Sequence, residues 1–365
     1  MIALFQPSLS DKAIADVARV LGEGRFSEGP RVLAFEQAFT KRFAVPHAIA
    51  VNSGTAALEL ALRCAGVGPG DEVVTTAQTF VGTALAVLGR GATPVFADIE
   101  PDGPNLSVAD AERRVTDRTR AVLVVHYGGQ PCDVDGVLAL AARHHLRVVE
   151  DAAHALGARH RGREVGALGD CGIFSFQSIK QLTTGDGGML VCRDPAMADA
   201  ARRWRWFGID RRRRKPTEIG EHEYDISELG GKLHMNDITA TIGSAELERF
   251  DAALARTRAI AARYQEMLDG LDGLRLLATA PGTEPTWWLF TVLVERRLDF
   301  IRALRGRGVE AAVWHQRIDR HSIFGGRSDL PNLARFDARQ VAIPCRASLG
   351  DDEVERVVAA VRAGW

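Results

Sequence analysis

The sequence predicts an α/β fold: a mostly parallel central sheet with helices on both faces, followed by a smaller α+β domain. Three observations lead there. Short apolar runs of strand length alternate with segments of helical period over the first two-thirds of the chain. The run Ala48 to Val51 passes through Asn-Ser-Gly-Thr into a helical stretch, Ala57 to Ala65, which is a strand, a glycine turn and a helix. Near residue 245 the alternation gives way to one long helical stretch reaching 268.

Along the chain, 12–21 and 31–43 have helical spacing, and Glu72 to Thr76, Thr93 to Ala97, Ala121 to His126 and Arg147 to Glu150 read as short buried strands. Helical segments at 80–89 and 134–145 separate several of them, which favours parallel pairing through crossovers. Further apolar runs occur at 171–176 and 188–192. The stretch 202–225, with the basic run 211–215, has little periodicity and reads as a long exposed loop. Beyond 245, strand-like segments at 274–278 and 287–294 precede helices near 298–306 and 351–362. The chain thus divides into a major domain, residues 1–245, and a smaller one, 246–365.

Composition agrees. With 365 residues and 46% hydrophobic content the chain can bury a large core. Lys and Arg total 46 against 47 Asp and Glu, so no overall field draws it to nucleic acid or an anionic membrane. Five scattered cysteines, odd in number and without paired short spacings, suggest neither a disulfide framework nor a metal site and fit a reducing compartment. No stretch reaches the roughly 18 apolar residues of a membrane span, and the amino terminus has no basic region followed by an apolar run. The expected location is the cytoplasm.

Chemistry concentrates where strands end. Lys180 lies where the apolar strand Phe174-Ser175-Phe176 runs into a polar, glycine-rich turn ending Gly185-Asp186-Gly187-Gly188. Partial desolvation there lowers an amine's pKa, as an imine-forming nucleophile requires, although an isolated lysine at a strand end more often snorkels to water. Asp151 comes after Val148-Val149-Glu150 at the carboxyl end of a strand, the edge at which α/β sheets bind ligands. It suits the pairing of a protonated ring nitrogen, and equally the N-cap of a following helix. Ser53-Gly54-Thr55-Ala56 opens a helix whose backbone N–H groups suit a phosphate, though ordinary capping explains many such turns. Ser175 offers a hydroxyl to the same phosphate, or is a hydrogen-bonded strand residue. His154 lies about one helical turn beyond Asp151, and Phe80 stands past a strand end where its ring suits stacking on a flat cofactor. Alone, each would be structural.

Together, Ser53-Gly54-Thr55-Ala56-Ala57-Leu58, Gly70-Asp71-Glu72-Val73, Glu150-Asp151-Ala152-Ala153-His154, Phe174-Ser175-Phe176 with Lys180, and Gly185-Asp186-Gly187-Gly188 resemble the DegT/DnrJ/EryC1/StrS sugar aminotransferases from about residue 5 to the C-terminus. The resemblance implies a PLP-transferase major domain, like that of aspartate aminotransferase, that binds pyridoxal 5′-phosphate (PLP). Lys180 would be the Schiff-base lysine, Asp151 the pyridine-nitrogen partner, His154 a neighbour of the phenolic oxygen and Phe80 the stacking ring. Gly54, Thr55, Ala56, Ser175 and Gln177 would border the cofactor, chiefly at its phosphate. Many members place an asparagine in a segment that crosses a dimer interface to the neighbour's phosphate; here Lys232 stands at that place in Gly230-Gly231-Lys232-Leu233-His234-Met235-Asn236-Asp237. A homodimer with shared sites is implied. Because the lysine is present, amination of a keto-sugar is expected over the dehydration that relatives with a histidine there perform.

The implied reaction has two halves: glutamate or glutamine charges PLP to pyridoxamine 5′-phosphate, and a keto-sugar, expected to be nucleotide-linked, accepts the amine. Arg211 and Arg212 in the basic run are either a solvated face or a grip on the acceptor's diphosphate, to which Arg202, Arg203 and Arg205 could add. His315 and Arg317, in Trp314-His315-Gln316-Arg317, fall where members place substrate-facing residues. A cyclitol or aminoglycoside precursor is the rival acceptor, and a non-catalytic regulator on the same fold the rival class. An NAD site is disfavoured because no G-x-G-x-x-G turn comes after the first strand.

Overall fold

Alternate residues along each central strand face opposite ways, and that period of two sorts the major domain into two cores. The computed structural model describes residues 1–24, 26–211 and 214–365. Its large sheet comprises β1 (His47–Val51), β2 (Glu72–Thr76), β3 (Thr93–Ala97), β4 (Thr119–Val125), β5 (Arg147–Asp151), β6 (Cys171–Ser175) and β7 (Gly188–Cys192). The seven strands lie in the order β1-β7-β6-β5-β4-β2-β3. Only β7 runs antiparallel to its neighbours; β3, β2, β4, β5 and β6 pair in parallel. The carboxyl ends of β5 and β6 therefore open on one edge.

The helices of the chain are α1 (Asp11–Glu23), α2 (Pro30–Phe43), α3 (Gly54–Cys64), α4 (Gly82–Gly89), α5 (Val108–Arg113), α6 (Val134–His144), α7 (Pro195–Trp204), α8 (Asp237–Leu268), α9 (Arg297–Gly306), α10 (Pro331–Arg339) and α11 (Asp351–Arg362). Ala48, Ala50, Val122 and Val124 pack with α2, α6 and the first half of α8. Their neighbours Ile49, Val51, Ala121 and Leu123 pack with α3, α4 and α7 on the other face. Both faces of the strands are thus buried, which is why they read as continuous apolar runs.

Two expectations are corrected. The segment 202–225 is not one loop: α7 extends to Trp204, its Asp194 N-cap accepts the Ala196 N–H at 2.8 Å, and Lys215–Pro216 pairs with His222–Glu223. The long helix begins at Asp237, where Asn236 caps the Thr239 N–H at 2.9 Å, so the 245/246 boundary falls inside a continuous helix of 32 residues. Spanning about 48 Å at 1.5 Å per residue, α8 changes cores along its length. Phe250 and Leu254 belong to the major domain's interior, whereas Ile260, Ala261, Tyr264 and Leu268 pack into the second domain. There an antiparallel sheet of β8 (Leu274–Leu276), β9 (Phe290–Val294) and β10 (Gln340–Ile343) carries α9 and α11. No helix among the described residues is long and apolar enough to cross a membrane.

Close backbone approaches fix the geometry beneath the sheet's open edge. A Cβ at Gly172, in β6, would stand 1.9 Å from the Gly166 carbonyl oxygen. Gly172→Ala is therefore expected to destabilise the fold by about 1–3 kcal/mol or more, because backbone and not a flexible side chain would have to move. The denaturant midpoint measures this; an unchanged midpoint would contradict the close approach.

Candidate active site

The last residue of β5, Asp151, presents a buried carboxyl at the open edge. Thr83, at the start of α4, donates to its Oδ2 at 2.8 Å, and the Ala153 N–H donates to Oδ1 at 3.1 Å. Thr79 Oγ1 lies 2.8 Å from the same threonine hydroxyl, so a short hydroxyl chain fixes the carboxylate. Burial raises the Asp151 pKa, partly opposed by the Thr83 and Ala153 hydrogen bonds and by the charge of Lys180. Beyond Asp151 the chain makes a series of turns and no helix, which corrects both the N-cap reading of Asp151 and the helical placement of His154.

A later turn, residues 166–169, is held from below. The wholly buried Glu150 carboxylate accepts from the backbone N–H groups of Gly166, Leu168 and Gly169 at 2.7–2.8 Å and lies 3.1 Å from His126 Nε2. His154 lies under an aromatic wall: its ring stacks on Trp288 at 3.9 Å and on His315 at 5.4 Å. Burial, and then the Lys180 charge, hold His154 well below the usual histidine range, and the same causes bring His315 down to about 3. Both rings are therefore neutral at ordinary pH. His154 Nδ1 and His315 Nε2 are buried and have no hydrogen-bond partner among the described residues.

Lys180 Nζ sits 3.7 Å from the centroid of the Trp288 ring, a cation–π distance when the amine is charged. Desolvation lowers its pKa to about 7 even though the Asp151 carboxylate pulls the other way. Trp288 is held in place by its Nε1, which donates to the Ile179 carbonyl at 2.9 Å, and by an unusual turn: Trp287 has φ 55°, a left-handed conformation rare for a bulky residue. Backbone bonds from Thr286 to the Gly129 carbonyl and from Leu289 to the Gly128 carbonyl latch this turn to the end of β4. A Cβ at Gly129 would meet Thr286 Oγ1 at 2.2 Å, so only glycine allows the latch.

At the far end of the cavity the N-terminus of α3 abuts the end of β6. A Cβ on Gly54 would lie 3.0 Å from Ser175 Cβ, so glycine lets the helix terminus and the Ser175 hydroxyl share one corner. The Ser53 hydroxyl accepts the Ala56 N–H at 3.0 Å, which takes Ala56 out of the expected phosphate set and leaves Gly54 and Thr55 at the opening turn. The whole cavity measures about 440 Å³, and Gly54, Thr55, Phe80, Asp151, His154, Ser175, Gln177, Lys180 and His315 all border it. Phe80 is 55% exposed, its ring edging the mouth 5.9 Å from His315.

Other expected residues lie elsewhere. Arg317 is buried, bidentate to Asp319 at 2.8 and 2.6 Å and donating to the Ser328 carbonyl, so its guanidinium is a structural clamp and does not face the cavity. Arg211 pairs with Glu28 at 2.7 Å and does not border the cavity; Arg212 lies outside the described residues. Lys232 is exposed and away from the cavity of its own chain. Residues bordering the cavity to which sequence reading gave no role include Thr79, Thr83, Asp186 and Trp288. Trp288 sits in an apolar run that reads as core strand, and its role depends on a left-handed turn at Trp287, a conformation that a bulky residue does not signal in sequence.

The amine's protonation is directly testable. In cofactor-free protein, reductive methylation of Lys180 should rise through a midpoint near the value of about 7. Asp151→Asn removes the negative charge that favours the ammonium form, so the midpoint should move lower. Peptide mass spectrometry reads the labelling, and a midpoint in the ordinary lysine range would refute the desolvated placement.

This geometry has known counterparts. The DegT/DnrJ/EryC1/StrS aminotransferase family profile matches residues 7–362. The spore coat polysaccharide biosynthesis protein SpsC of Bacillus subtilis is 37% identical over 369 residues, covering 98% of this chain and 95% of that one. The dTDP-3-amino-3,4,6-trideoxy-alpha-D-glucose transaminase of Streptomyces venezuelae is 38% identical over 355 residues, covering 95% and 90%. The crystal structure of the sugar aminotransferase CalS13 from Micromonospora echinospora superposes with a TM-score of 0.95 at 36% identity over 100% of both chains. With a desolvated lysine facing a buried aspartate at the carboxyl edge of the sheet, and with similarity along nearly its whole length, the chain belongs to the DegT/DnrJ/EryC1/StrS aminotransferase family of PLP-dependent enzymes.

Proposed function

We propose that this enzyme transfers an amino group from glutamate or glutamine to a nucleotide-linked 3- or 4-keto-deoxysugar. The observation that carries the reading is the Lys180 amine, brought down to about 7 and facing the buried Asp151 across an aromatic-walled cavity. Such an amine loses and regains a proton at little cost, which a group shuttling protons at a substrate carbon requires.

The residues present fit PLP. Two buried ring nitrogens, on His154 and His315, lack partners among the described residues, and the glycine-dependent corner at Gly54 and Ser175 suits a phosphate. Asp151 would hold a proton on the ring nitrogen, its own orientation set by Thr83 and the Ala153 N–H. His154 and Phe80 would confine the ring, and Gly54, Thr55, Ser175 and Gln177 its phosphate end. Bound there, the cofactor supplies an electron sink for charge developing on the substrate carbon. Lys180 would carry the proton between carbon and solvent-excluded cavity, while Trp288 shields its amine from water. His315, neutral at the mouth, would face the acceptor.

Lys232 is assigned to the phosphate of a neighbouring subunit, by its place in the family's interface segment. Exposed apolar side chains close before it, Ile219, Ile226 and Leu229, support burial of this surface in a homodimer.

Lys180→Ala should lower turnover by about 10²- to 10⁴-fold, the usual size of general acid–base contributions. Asp151→Asn should keep the fold and lose a comparable factor, since a neutral amide does not hold the ring nitrogen protonated. Steady-state kinetics beside circular dichroism check both, and near-normal rates in either variant would remove that residue from its role. The acceptor is tested by offering the pyridoxamine form a panel of nucleotide-linked 3-keto and 4-keto sugars and following PLP recovery. Turnover of a free keto-inositol with none of the nucleotide sugars would select the cyclitol reading instead.

A further inference from the structure

The five cysteines show no metal-binding spacing along the chain, yet the fold brings three of them together. Cys64 ends α3, Cys171 begins β6 and Cys192 ends β7, and Cys171 and Cys192 face each other across the antiparallel pair. Their sulfur atoms lie within 4.8 Å of one another, with Cys171 and Cys192 3.8 Å apart. A tetrahedral ion with metal–sulfur bonds of about 2.3 Å needs sulfur–sulfur edges of about 3.8 Å. One edge already has this length, and the others need only a small closure.

The electrostatics agree with the geometry. Arg63 puts a positive charge near Cys64, and Asp194 a negative one. Arg202 adds a positive charge near Cys192. Cys171 and Cys192 are buried among apolar side chains of α3, α4 and α7, while Cys64 is half-buried and gives a path to solvent. Cys171 and Ser175 are the two ends of β6, about 13 Å apart at 3.3 Å per residue, so the cluster lies on the edge of the sheet away from the cavity.

We propose that Cys64, Cys171 and Cys192 form a three-thiolate site for one thiophilic d¹⁰ metal ion of the Zn(II) or Cd(II) class, distinct from the cofactor site. Three metal–sulfur bonds form, and each coordinating thiol gives up its proton to solvent. The complex has a net charge of minus one, in a region that also feels the charges of Arg63 and Arg202. Water fills the fourth position, because no further His, Cys, Asp or Glu ligand joins the group among the described residues.

The test uses reduced, cofactor-loaded protein titrated with Cd(II), read by the ultraviolet thiolate-to-metal absorption and by native mass spectrometry. One ion per chain is expected, with apparent affinity rising with pH as thiol protons are released. Cys64→Ser and Cys192→Ala should each weaken binding at least tenfold, and Cys345→Ala should leave it unchanged. Should Cys192→Ala fail to fold, Cys64→Ser at the half-buried position decides alone. Absence of the absorption band, binding that survives Cys64→Ser, or a mass two hydrogens lower from a Cys171–Cys192 disulfide in the reduced preparation would overturn the proposal.

Discussion

The site rests on one opposition: a half-buried amine, Lys180, and a buried carboxyl, Asp151, facing the same cavity. Desolvation pushes each toward its neutral form, and each charge pulls the other back. The result is an amine that titrates near neutrality beside a carboxyl whose ionised form is kept by hydrogen bonds. Neither property belongs to the residue alone. Exposed on a loop, the same lysine would stay charged and the same aspartate would screen it weakly.

Holding that opposition requires elements far apart in sequence. Asp151 and Ser175 come from adjacent parallel strands, Thr83 from the first turn of α4, and Trp288 and His315 from the second domain. A buried carboxylate, Glu150, ties the backbone of residues 166–169 under the strand that carries Asp151. Burial alone would raise its pKa, but His126 and the backbone N–H donors bring it below the ordinary value, so the tie is ionic as well as geometric. The turn at Trp287 is the other anchor. A left-handed tryptophan costs of order 1–3 kcal/mol and persists because the Gly128–Gly129 latch over-determines it. Strain of this kind lies beside the reactive lysine, where a fixed aromatic surface controls the access of water.

Arginines separate readily into structural and available groups once partners are seen. Arg317 and Arg205 are buried and paired with carboxylates, so removing those partners would leave an uncompensated charge. Arg211 is partly committed to Glu28 and lies over Trp206. Arg211 is therefore not simply part of a solvated face, and helps pin the segment after α7 to the loop before α2.

Much of the fold was legible in the sequence because strands buried on both faces leave continuous apolar runs, and glycine turns mark where they end. The motifs around Gly54, Asp151, Ser175 and Lys180 were legible because the chemistry is local to strand ends. Trp288 and Thr83 were not: a tryptophan in an apolar run and a threonine at a helix start look like core and cap. Arg317 misled for the converse reason, since its partner Asp319 is close by in the chain and nothing in a linear pattern says which way the pair faces. The cysteines make the same point, because Cys64 meets Cys171 and Cys192 only through strand register and the packing of α3 on the sheet. Sequence by itself determined which residues end strands and which chemistry they can support, because periodicity and turn residues are short-range properties. Tertiary structure decided which of them share a dry cavity, because desolvation and partner choice depend on contacts that only strand order and domain packing create.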